Sequence, residues 1–590
     1  MDALRPLLPF LRPYRRAYVL GGLCVAIGSI FATLGPVAVK YAVDAMREGA
    51  DWERIAWWSA AVLGLALVQA VFRYLQRRLV YDAAREVETD LRDDLFGRMV
   101  RQPPAFFDDL PTGDVLSRFT NDVNSVRMAL GPGVMFGVNT LTTLALAIGF
   151  MAWIDVELTA WALLPLPFVS ITVKVLGRKI HERSEASQAA LADVSTAVQE
   201  NLAGLRVVRA YGREETQRAS FGAQSETYVE KNLRLATIRA ILSPLLRFLL
   251  GASVLILLYV GGMRVAEGTL TLGDFVAFTM YLGMVGWPLV AFGWIANLYQ
   301  RAAAAMGRLN AILLAEPAID DSAAVPSARP DRGAIAFRDV TFRYRPGLPV
   351  VLDGVTLEID PGETIGLTGP TGSGKTTLIS LLPRLHEADS GRVEIDGRPV
   401  ETYPLAALRE AIGVAPQEPF LFSDTVRGNL ELAHDGPPSL GDAGDRADRL
   451  DAEEAARIAG LASDVESFPE EYETPVGERG VTLSGGQKQR AALARALLAD
   501  PTILILDDAF SSVDTETEER ILDRLRSYRS GRTTLLVSHR VSTLRHADRI
   551  VVLSDGRILE EGSHDALVDL DGWYADLDRR QRLEAEIESA

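Results

Sequence analysis

This sequence of 590 residues contains only one cysteine, and its basic residues are outnumbered by acidic ones. The single cysteine, Cys24, excludes a disulfide framework within the chain and a zinc site built on several cysteines. The net charge of −17 argues against a protein that binds nucleic acid through a basic surface. An apolar content of 48% excludes low-complexity disorder. What remains is a folded protein that is too long for one domain.

Charge is missing altogether from several long stretches in the first half of the chain. Ala17–Val39 contains no charged residue and, as a helix, is long enough to cross the hydrocarbon core of a bilayer, which is about 30 Å thick. There are six charge-free stretches, and two of them are shorter than a full span but are extended by apolar flanks. They predict six membrane-spanning helices, because buried helices of a soluble core would explain one short stretch but not six. The predicted spans lie near residues 17–39, 55–76, 130–153, 157–177, 241–263 and 274–298.

The segments that connect the spans are of two kinds, and their charges orient the chain. Short turns follow the first, third and fifth spans, whereas long polar arms, roughly 73–127 and 174–239, follow the second and fourth. The arms carry many arginines beside the membrane, which is typical of cytoplasmic loops. We therefore expect a multi-pass protein of the cell membrane with both arms and both chain ends in the cytoplasm. No A-x-A cleavage site follows the first span, which argues against a secretory signal.

The arms and the second half of the chain have different patterns. Apolar residues recur at helical spacing in both arms, so the spans are expected to continue as helices into the cytoplasm. We assign 1–314 to an all-α transmembrane domain with long cytoplasmic extensions and 315–333, rich in Ala, Pro, Asp and Ser, to a linker. In 334–590, short β-branched runs alternate with helical segments, which predicts an α/β domain with a largely parallel sheet.

A glycine-rich segment in the α/β domain fits the pattern G-x-x-x-x-G-K-[ST]. It follows the apolar strand Thr364–Thr368 and precedes a helical segment, which is the context this motif requires. The glycines allow backbone N–H groups to surround phosphates, and the start of the helix favours their charge. Lys375 is expected to reach the β- and γ-phosphates of ATP, and Thr376 to ligate Mg²⁺. The predicted nucleotide-binding residues here are Gly369, Thr371, Gly372, Ser373, Gly374, Lys375, Thr376 and Thr377.

Two further segments complete the predicted chemistry. A buried-type strand ends in Asp507 and Asp508; the first is assigned to the metal and the second to the attacking water. Leu483–Gln487 supplies a serine and two glycines at the start of a helix, which suits a second phosphate. One nucleotide needs only one glycine-rich loop, so this second nest suggests a site shared with another copy of the domain. A flexible turn is the alternative for this pentapeptide alone.

Together, Leu483–Gln487, the glycine-rich loop and Asp507 resemble the motifs of ATP-binding-cassette (ABC) proteins. With six spans in front, the chain resembles an ABC exporter half-transporter, of the type that includes lipid flippases and multidrug exporters, over nearly its whole length. The resemblance implies that Tyr344 stacks on adenine, that Gln417 approaches Mg²⁺ and that His539 lies near the γ-phosphate. It implies a catalytic set of Asp508, His539 and Gln417, a metal set of Thr376, Gln417 and Asp507, and nucleotide contacts from Ser484, Gly485, Gly486 and Gln487.

The resemblance also extends to other parts of the chain. Thr112–Asp122 and Glu200–Glu215 are similar to the two regions of exporters that dock on nucleotide domains, and Ser511–Asp514 resembles the D-loop. The stretch His434–Glu453 looks longer than is usual in the family and is rich in Asp, Gly and Pro. A solvated insertion and a partner contact both remain open for it.

Position 508 departs from the family pattern, which usually has glutamate after the metal-binding aspartate. The carboxylate of Asp508 is set back by about 1.5 Å, enough to slow a reaction whose base must lie within hydrogen-bond distance of the water. This departure resembles the degenerate subunit of heterodimeric exporters, which holds ATP but hydrolyses it slowly. A heterodimer is favoured over a homodimer, because the chain retains Leu483–Gln487, which would complete the partner's site, but has aspartate instead of glutamate at position 508 of its own site.

Three functions from different classes follow. The first is ATP-driven export of a hydrophobic or amphipathic substrate (a drug, lipid or peptide) by alternating access, with a second half-transporter subunit and the lipid bilayer as partners. The second is an ATP-binding regulatory membrane subunit with little hydrolysis of its own. The third, a soluble-type ATPase with a membrane anchor, is disfavoured because one span would suffice as an anchor.

Overall fold

Six helices long and apolar enough to cross a membrane occupy the first part of the chain in the computed structural model. The described residues are 2–108, 110–433, 450–477, 480, 483–528 and 531–589. They divide into two units: Met1–Val100 with Thr112–Ala315, and Arg101–Pro111 with Glu316–Ala590. The first unit is helical and the second contains the sheets, which confirms the predicted fold class.

The six long helices are longer than the apolar stretches from which they were predicted. They are α1 (Arg15–Arg47), α2 (Trp52–Met99), α3 (Thr112–Ile154), α4 (Val156–Ala203), α5 (Glu214–Ala266) and α6 (Leu272–Leu313). Shorter helices are Asp2–Leu7 and Leu8–Leu11 before α1, Pro104–Phe107 after α2 and Leu205–Ala210 after α4. The helices continue through the arms, as the helical spacing of apolar residues predicts.

Packing explains why α2 remains helical over 48 residues. Its polar half buries at least one side chain on each turn, since Val80, Ala83, Val87, Leu91 and Leu95 are all nearly inaccessible to solvent. Residues three and four apart lie on one helix face, so these five side chains form a continuous stripe. The stripe buries one face of the helix beyond the charge-free segment.

The ends of α1 and α6 are joined by a polar contact. Lys40 of α1 forms an ion pair of 2.7 Å with Asp274 of α6. The Asp44 carboxylate accepts hydrogen bonds from the main-chain N–H of Gly273 at 2.8 Å and from the Thr271 hydroxyl at 2.9 Å. Two carboxylates, a lysine and a helix N-terminus therefore fix these two helices together at one end.

Two sheets form the framework of the second unit. Its strands are β1 (Ile335–Phe342), β2 (Leu352–Ile359), β3 (Thr364–Thr368), β4 (Ser390–Ile395), β5 (Arg398–Pro399), β6 (Ile412–Ala415), β7 (Ile503–Asp507), β8 (Thr533–Val537), β9 (Arg549–Ser554) and β10 (Arg557–Gly562). An antiparallel sheet has the order β2-β1-β4-β5, and a larger sheet has the order β10-β9-β3-β8-β7-β6. In the larger sheet only β10 runs antiparallel to its neighbour.

The helices of the second unit are mostly short and are placed around the larger sheet. They are α7 (Lys375–Ser380), α8 (Leu405–Glu410), α9 (Val426–Glu431), α10 (Ala452–Ile458), α11 (Ala462–Val465), α12 (Gly485–Leu498), α13 (Thr515–Tyr528), α14 (Val541–Leu544), α15 (His564–Asp569) and α16 (Trp573–Ser589). β3, β7 and β8 are buried along their whole length, so the core lies on both faces of the parallel sheet. Their carboxyl ends meet at one edge, which is where ligands bind in such sheets.

One expected docking segment, Thr112–Asp122, lies at the beginning of a long helix. Thr112–Asp122 forms the beginning of α3 and belongs to the first unit, whereas the residues just before it, Arg101–Pro111, belong to the second. There Asp108 lies 3.9 Å from the guanidinium of Arg345. The polar residues of 112–122 are compatible with a helix, so the turn seen in the sequence marks the start of α3 rather than a separate segment.

The other unusual segments lie in different parts of the structure. Glu200–Glu215 spans the end of α4, the short helix Leu205–Ala210 and the start of α5, and it exposes large apolar side chains, with Leu202 at 68% and Tyr211 at 78%. Most of the long stretch His434–Glu453 lies outside the described residues.

Candidate nucleotide site

The glycine-rich loop connects the end of β3 to the start of α7. Gly369 has φ +140° and Gly374 has φ +100°, and residues other than glycine rarely adopt such backbone conformations. A Cβ atom at Gly374 would lie 2.8 Å from Leu352 and 2.9 Å from the carbonyl oxygen of Val351. The loop can take this shape only with glycine at these positions, and it leaves a backbone cradle at the N-terminus of a helix, where phosphates are stabilised.

Lys375 lies inside this loop rather than pointing into solvent. Its Nζ donates hydrogen bonds of 2.9 Å to the carbonyl oxygens of both Gly369 and Pro370. Burial lowers the pKa of Lys375, and the nearby carboxylates of Asp507 and Asp508 oppose that change. The ammonium group is thus held at the loop between its carbonyls and two acids, where a phosphate would complete its coordination.

Thr376 and Asp507 are brought together by the order of the strands. Asp507 ends β7 and is 5% exposed, and its carboxylate accepts a hydrogen bond from the Thr376 hydroxyl. Burial raises the pKa of Asp507, while the Thr376 bond, Lys375 and His539 act in the opposite direction. A hydroxyl and a carboxylate oxygen are ligands that Mg²⁺ accepts in nucleotide sites, where the phosphates and water supply the rest. This donor set therefore fits Mg²⁺ bound together with a nucleotide.

Asp508 has an unusual backbone conformation for a residue that is not glycine. Its φ is +46°, its N–H donates to the carbonyl of Val537 at 3.0 Å, and its own carbonyl accepts from the N–H of Ser511 at 3.1 Å. Aspartate and asparagine are several-fold enriched among non-glycine residues in this left-handed region. The backbone conformation therefore favours aspartate at position 508 whatever its role in hydrolysis. The sequence alone does not reveal this reason for the aspartate.

His539 and Gln417 follow two other strands of the same sheet. His539 lies two residues beyond the end of β8, which separates β3 from β7, and it is near enough to Asp507 to act on the pKa of that carboxyl. Gln417 is exposed and lies two residues beyond β6, which is the neighbour of β7. Because all these strands are parallel, the two residues lie at the same edge as the glycine-rich loop and the aspartates.

Tyr344 lies beside the helix of the glycine-rich loop. Its hydroxyl is 2.8 Å from Thr377 Oγ1, and its ring packs edge-on against Phe342 and His386 at centroid distances of 5.1 and 5.4 Å. The side chain remains 41% exposed. One face of a ring near the loop is thereby available to an aromatic ligand such as adenine.

The predicted second phosphate nest has its own contacts. Ser484 caps α12: its hydroxyl accepts from the N–H of Gln487 at 3.2 Å, and the Gln487 side chain accepts from the N–H of Ser484 at 2.9 Å. Gln487 also donates to Asp464 at 2.9 Å. Among the described residues, no hydrogen bond joins Ser484 or Gln487 to the glycine-rich loop of the same chain, and Ser484 and Gly485 are exposed.

Comparison with protein families decides the identity of this arrangement. Residues 18–289 match the model of the ABC transporter transmembrane region, and residues 352–511 match the ABC transporter model. The multidrug resistance-like ATP-binding protein MdlA of Escherichia coli is 38% identical over 98% of this chain and 97% of its own length. The chain belongs to the ABC transporter family. It combines the family's membrane and ATP-binding parts, which confirms the prediction of an exporter half-transporter that couples ATP hydrolysis to transport.

Two other relatives support the same assignment. The ATP-dependent lipid A-core flippase of Syntrophus aciditrophicus is 32% identical over 100% of this chain and 96% of its own length. A solved structure of a bacterial Atm1-family ABC exporter with ATP bound has a TM-score of 0.77 and 27% identity, covering 96% of this chain and 98% of that one. The transporter is therefore a multi-pass membrane protein that binds ATP and exports its substrate.

One residue that contacts the site of this transporter could not be recognised in the sequence. Gln489 of α12 is 3% exposed; it donates to the Ser511 hydroxyl at 2.5 Å and accepts from the N–H of Ser512 at 2.8 Å. It links the helix that begins at Ser484 to the segment Ser511–Asp514. A glutamine two residues beyond a motif, on a polar helix, has no distinctive local pattern.

Proposed function

We propose that this chain is one subunit of a heterodimeric exporter and that its own nucleotide site hydrolyses ATP slowly. The observation that carries the proposal is the combination of Asp508 with an intact Ser484–Gln487. Asp508 is a shorter base than glutamate in the site formed by this chain's glycine-rich loop. Ser484 is exposed, and Ser484 and Gln487 form the reciprocal hydrogen bonds that cap the helix at the predicted phosphate nest. A homodimer would place the shortened base in both of its sites.

Two composite sites would form between paired nucleotide domains. This chain would supply the glycine-rich loop, Asp507, Asp508 and His539 to the slow site, and Ser484–Gln487 to the other. The partner would supply its own glycine-rich loop and a catalytic glutamate to that faster site. The absence of any hydrogen bond between Ser484 and the glycine-rich loop, among the described residues, supports its use by a second subunit.

Mg²⁺ is assigned to the oxygens of Thr376 and Asp507, with Gln417 at the same edge of the sheet. Among the described residues there is no cluster of three or more His, Cys, Asp and Glu, so the protein would bind the metal with few ligands and the phosphates would complete the set. When bound, Mg²⁺ would supply charge neutralisation at the phosphates. Lys375 would add positive charge there, and Tyr344 would orient the adenine ring.

Alternating access would couple this chemistry to export. ATP would hold the two nucleotide domains together, and the arms, with both chain ends in the cytoplasm, would transmit this closure to the spans. Hydrolysis would then reset the inward-facing state. We assign a hydrophobic or amphipathic substrate, a class that includes the multidrug and lipid A-core functions for which two of the relatives are named.

A homodimeric lipid flippase is the second candidate, and the relative from Syntrophus aciditrophicus favours it. A regulatory subunit with little hydrolysis of its own is the third, and Asp508 favours it. The candidates differ in what the purified chain does alone. A homodimer would hydrolyse ATP and move lipid by itself, whereas a heterodimeric subunit would need its partner.

The test is to purify the full chain from its native membrane, once with any subunit that co-purifies and once alone, and to reconstitute both into vesicles. We expect ATP hydrolysis and substrate export from the pair and slow hydrolysis from the chain alone. Lys375→Ala in this chain supplies the control for nucleotide binding. Working rates from the chain alone would contradict the slow site, and no export by either sample would contradict the exporter.

A further inference from the structure

The segment that carries His539 is anchored on one side by a buried acid. Glu518 of α13 is 1% exposed and pairs with the guanidinium of Arg540. Arg540 also donates to the carbonyl oxygens of Val513 at 3.1 Å and Ser511 at 3.3 Å, both in the D-loop. These bonds fix the residue after His539 but make no contact with His539 itself.

On the other side, the Gln581 side chain of the last helix forms hydrogen bonds with the backbone of the His539 segment. Nε2 of Gln581 in α16 donates to the main-chain carbonyl of His539 at 2.6 Å, and Oε1 accepts from the N–H of Val541 at 2.9 Å. The start of α16 is itself rigidly held, since Tyr574 is fully buried and its N–H donates to Glu560 at 3.1 Å. A rigid helix therefore presents one amide to both backbone groups.

We propose that Gln581 is a positioning residue for His539 and that the last helix of the chain thereby sets the place of the histidine in the nucleotide site. The inference rests on the proposed function, in which His539 lies near the γ-phosphate. A side-chain amide can satisfy a carbonyl and an N–H at once, because it carries a donor and an acceptor on separate atoms while remaining neutral. A histidine on a loop keeps its position only if its backbone is held, and a displacement of 1 Å can cost about a hundredfold in rate.

The substitutions that test this role preserve shape while removing hydrogen bonds. Gln581→Met keeps the length of the side chain and loses both bonds, whereas Gln581→Glu keeps the bond to Val541 and faces the carbonyl of His539 with an acceptor. Gln581→Met is expected to lower kcat for ATP about five- to tenfold with KM within about twofold, since Tyr344 and the glycine-rich loop are untouched. Gln581→Glu should lose at least as much, because its carboxylate would repel the carbonyl oxygen of His539. Arg580→Ala, on the exposed face of α16, is the matched control and should change neither.

A double-mutant cycle separates positioning from mere support of the fold. Full-length transporter is assayed both as the native chain and with Asp508→Glu, and the assembly in which His539→Ala lowers hydrolysis is used for the cycle. Gln581→Met should add no further loss once His539 is alanine. Amide hydrogen exchange of 539–545 should also accelerate in Gln581→Met and not in Arg580→Ala.

The outcomes distinguish this inference from the proposed function. Failure of all assemblies to hydrolyse ATP, with or without the partner, would overturn the proposed function and the inference together. Hydrolysis that depends on His539 but is unchanged by Gln581→Met would overturn the inference alone. Equal losses from Gln581→Met with and without His539, accompanied by a lower thermal unfolding midpoint, would assign Gln581 a purely structural role and also overturn it.

Discussion

Asp508 combines a chemical and a conformational property in one residue. In the proposed site its shorter side chain would set the carboxylate back from the attacking water, and its φ of +46° suits aspartate better than glutamate. The two properties have opposite consequences for the substitution Asp508→Glu, since one concerns the rate of hydrolysis and the other the stability of the fold. Glutamate would restore the reach of the base but would occupy a left-handed conformation at a cost of about 1–2 kcal/mol.

Asp508→Glu is accordingly expected to raise ATP hydrolysis by the assembled dimer about tenfold at the site of this chain, with some loss of thermal stability. Steady-state hydrolysis and the thermal unfolding midpoint are the two measurements. Asp508→Asn, which tolerates the same backbone but lacks the base, is the control and should not gain activity. An unchanged rate in Asp508→Glu would show that the side-chain length is not what limits this site.

Glu518 is the second residue whose removal has a clear expected result. Its carboxylate is buried, pairs with Arg540 and accepts from the hydroxyl of Thr543. Glu518→Ala would leave the partly exposed Arg540 without its acid, at a cost of about 2–4 kcal/mol. We expect the thermal midpoint to fall by about 5–10 °C. The exposed neighbour Glu519→Ala should change it little, and equal midpoints for both variants would contradict the role of the pair.

Among the helices, the contact between α1 and α6 depends on one glycine. A Cβ atom at Gly273 would overlap the carbonyl oxygen of Lys40 and the carboxylate of Asp44. Gly273→Ala should therefore separate the two helices and lower the thermal stability of the purified transporter by several degrees. Gly283→Ala, in the same helix with open space around its Cα, should be neutral or slightly stabilising. Similar stability of both variants would show that this contact is not needed.

The sequence indicated where helices cross the membrane but not where they end. The absence of charge from about residue 55 to 72 located the apolar part of α2, yet the helix continues to Met99 because long polar residues such as Arg and Glu are good helix formers. The same property hides in the sequence that Thr112–Asp122 is the beginning of a long helix. The ends of such helices are determined by contacts with other elements, which a single sequence does not show.

The nucleotide site was predictable to a different degree. The glycine-rich loop, Asp507 and His539 carry local patterns or follow recognisable strands, and the order of the strands brings them to one edge. Gln489 and Gln581 carry no such pattern, since each is a glutamine on a polar helix. Gln581 meets its partners across about 40 residues of chain. Only the folded structure reveals that their amides satisfy backbone groups of the D-loop and the histidine segment.

At the scale of the whole molecule, the average composition conceals two unlike parts. A charge-poor membrane unit and an acidic nucleotide unit together give the net charge of −17, so this number describes neither of them. In the proposed heterodimer, this chain would supply Ser484–Gln487 to the working site of its partner and Asp508 to its own slow site.

The most direct test compares two substitutions in this chain within the assembled dimer. Ser484→Ala removes a group lent to the partner's site, and Asp508→Ala removes the base of the chain's own site. Ser563→Ala, which removes the N-cap of α15, controls for the loss of a helix cap worth about 1 kcal/mol. The measurement is the steady-state rate of ATP hydrolysis. The account predicts a large loss from Ser484→Ala and little loss from Asp508→Ala and Ser563→Ala; equal, large losses from Ser484→Ala and Asp508→Ala would contradict it.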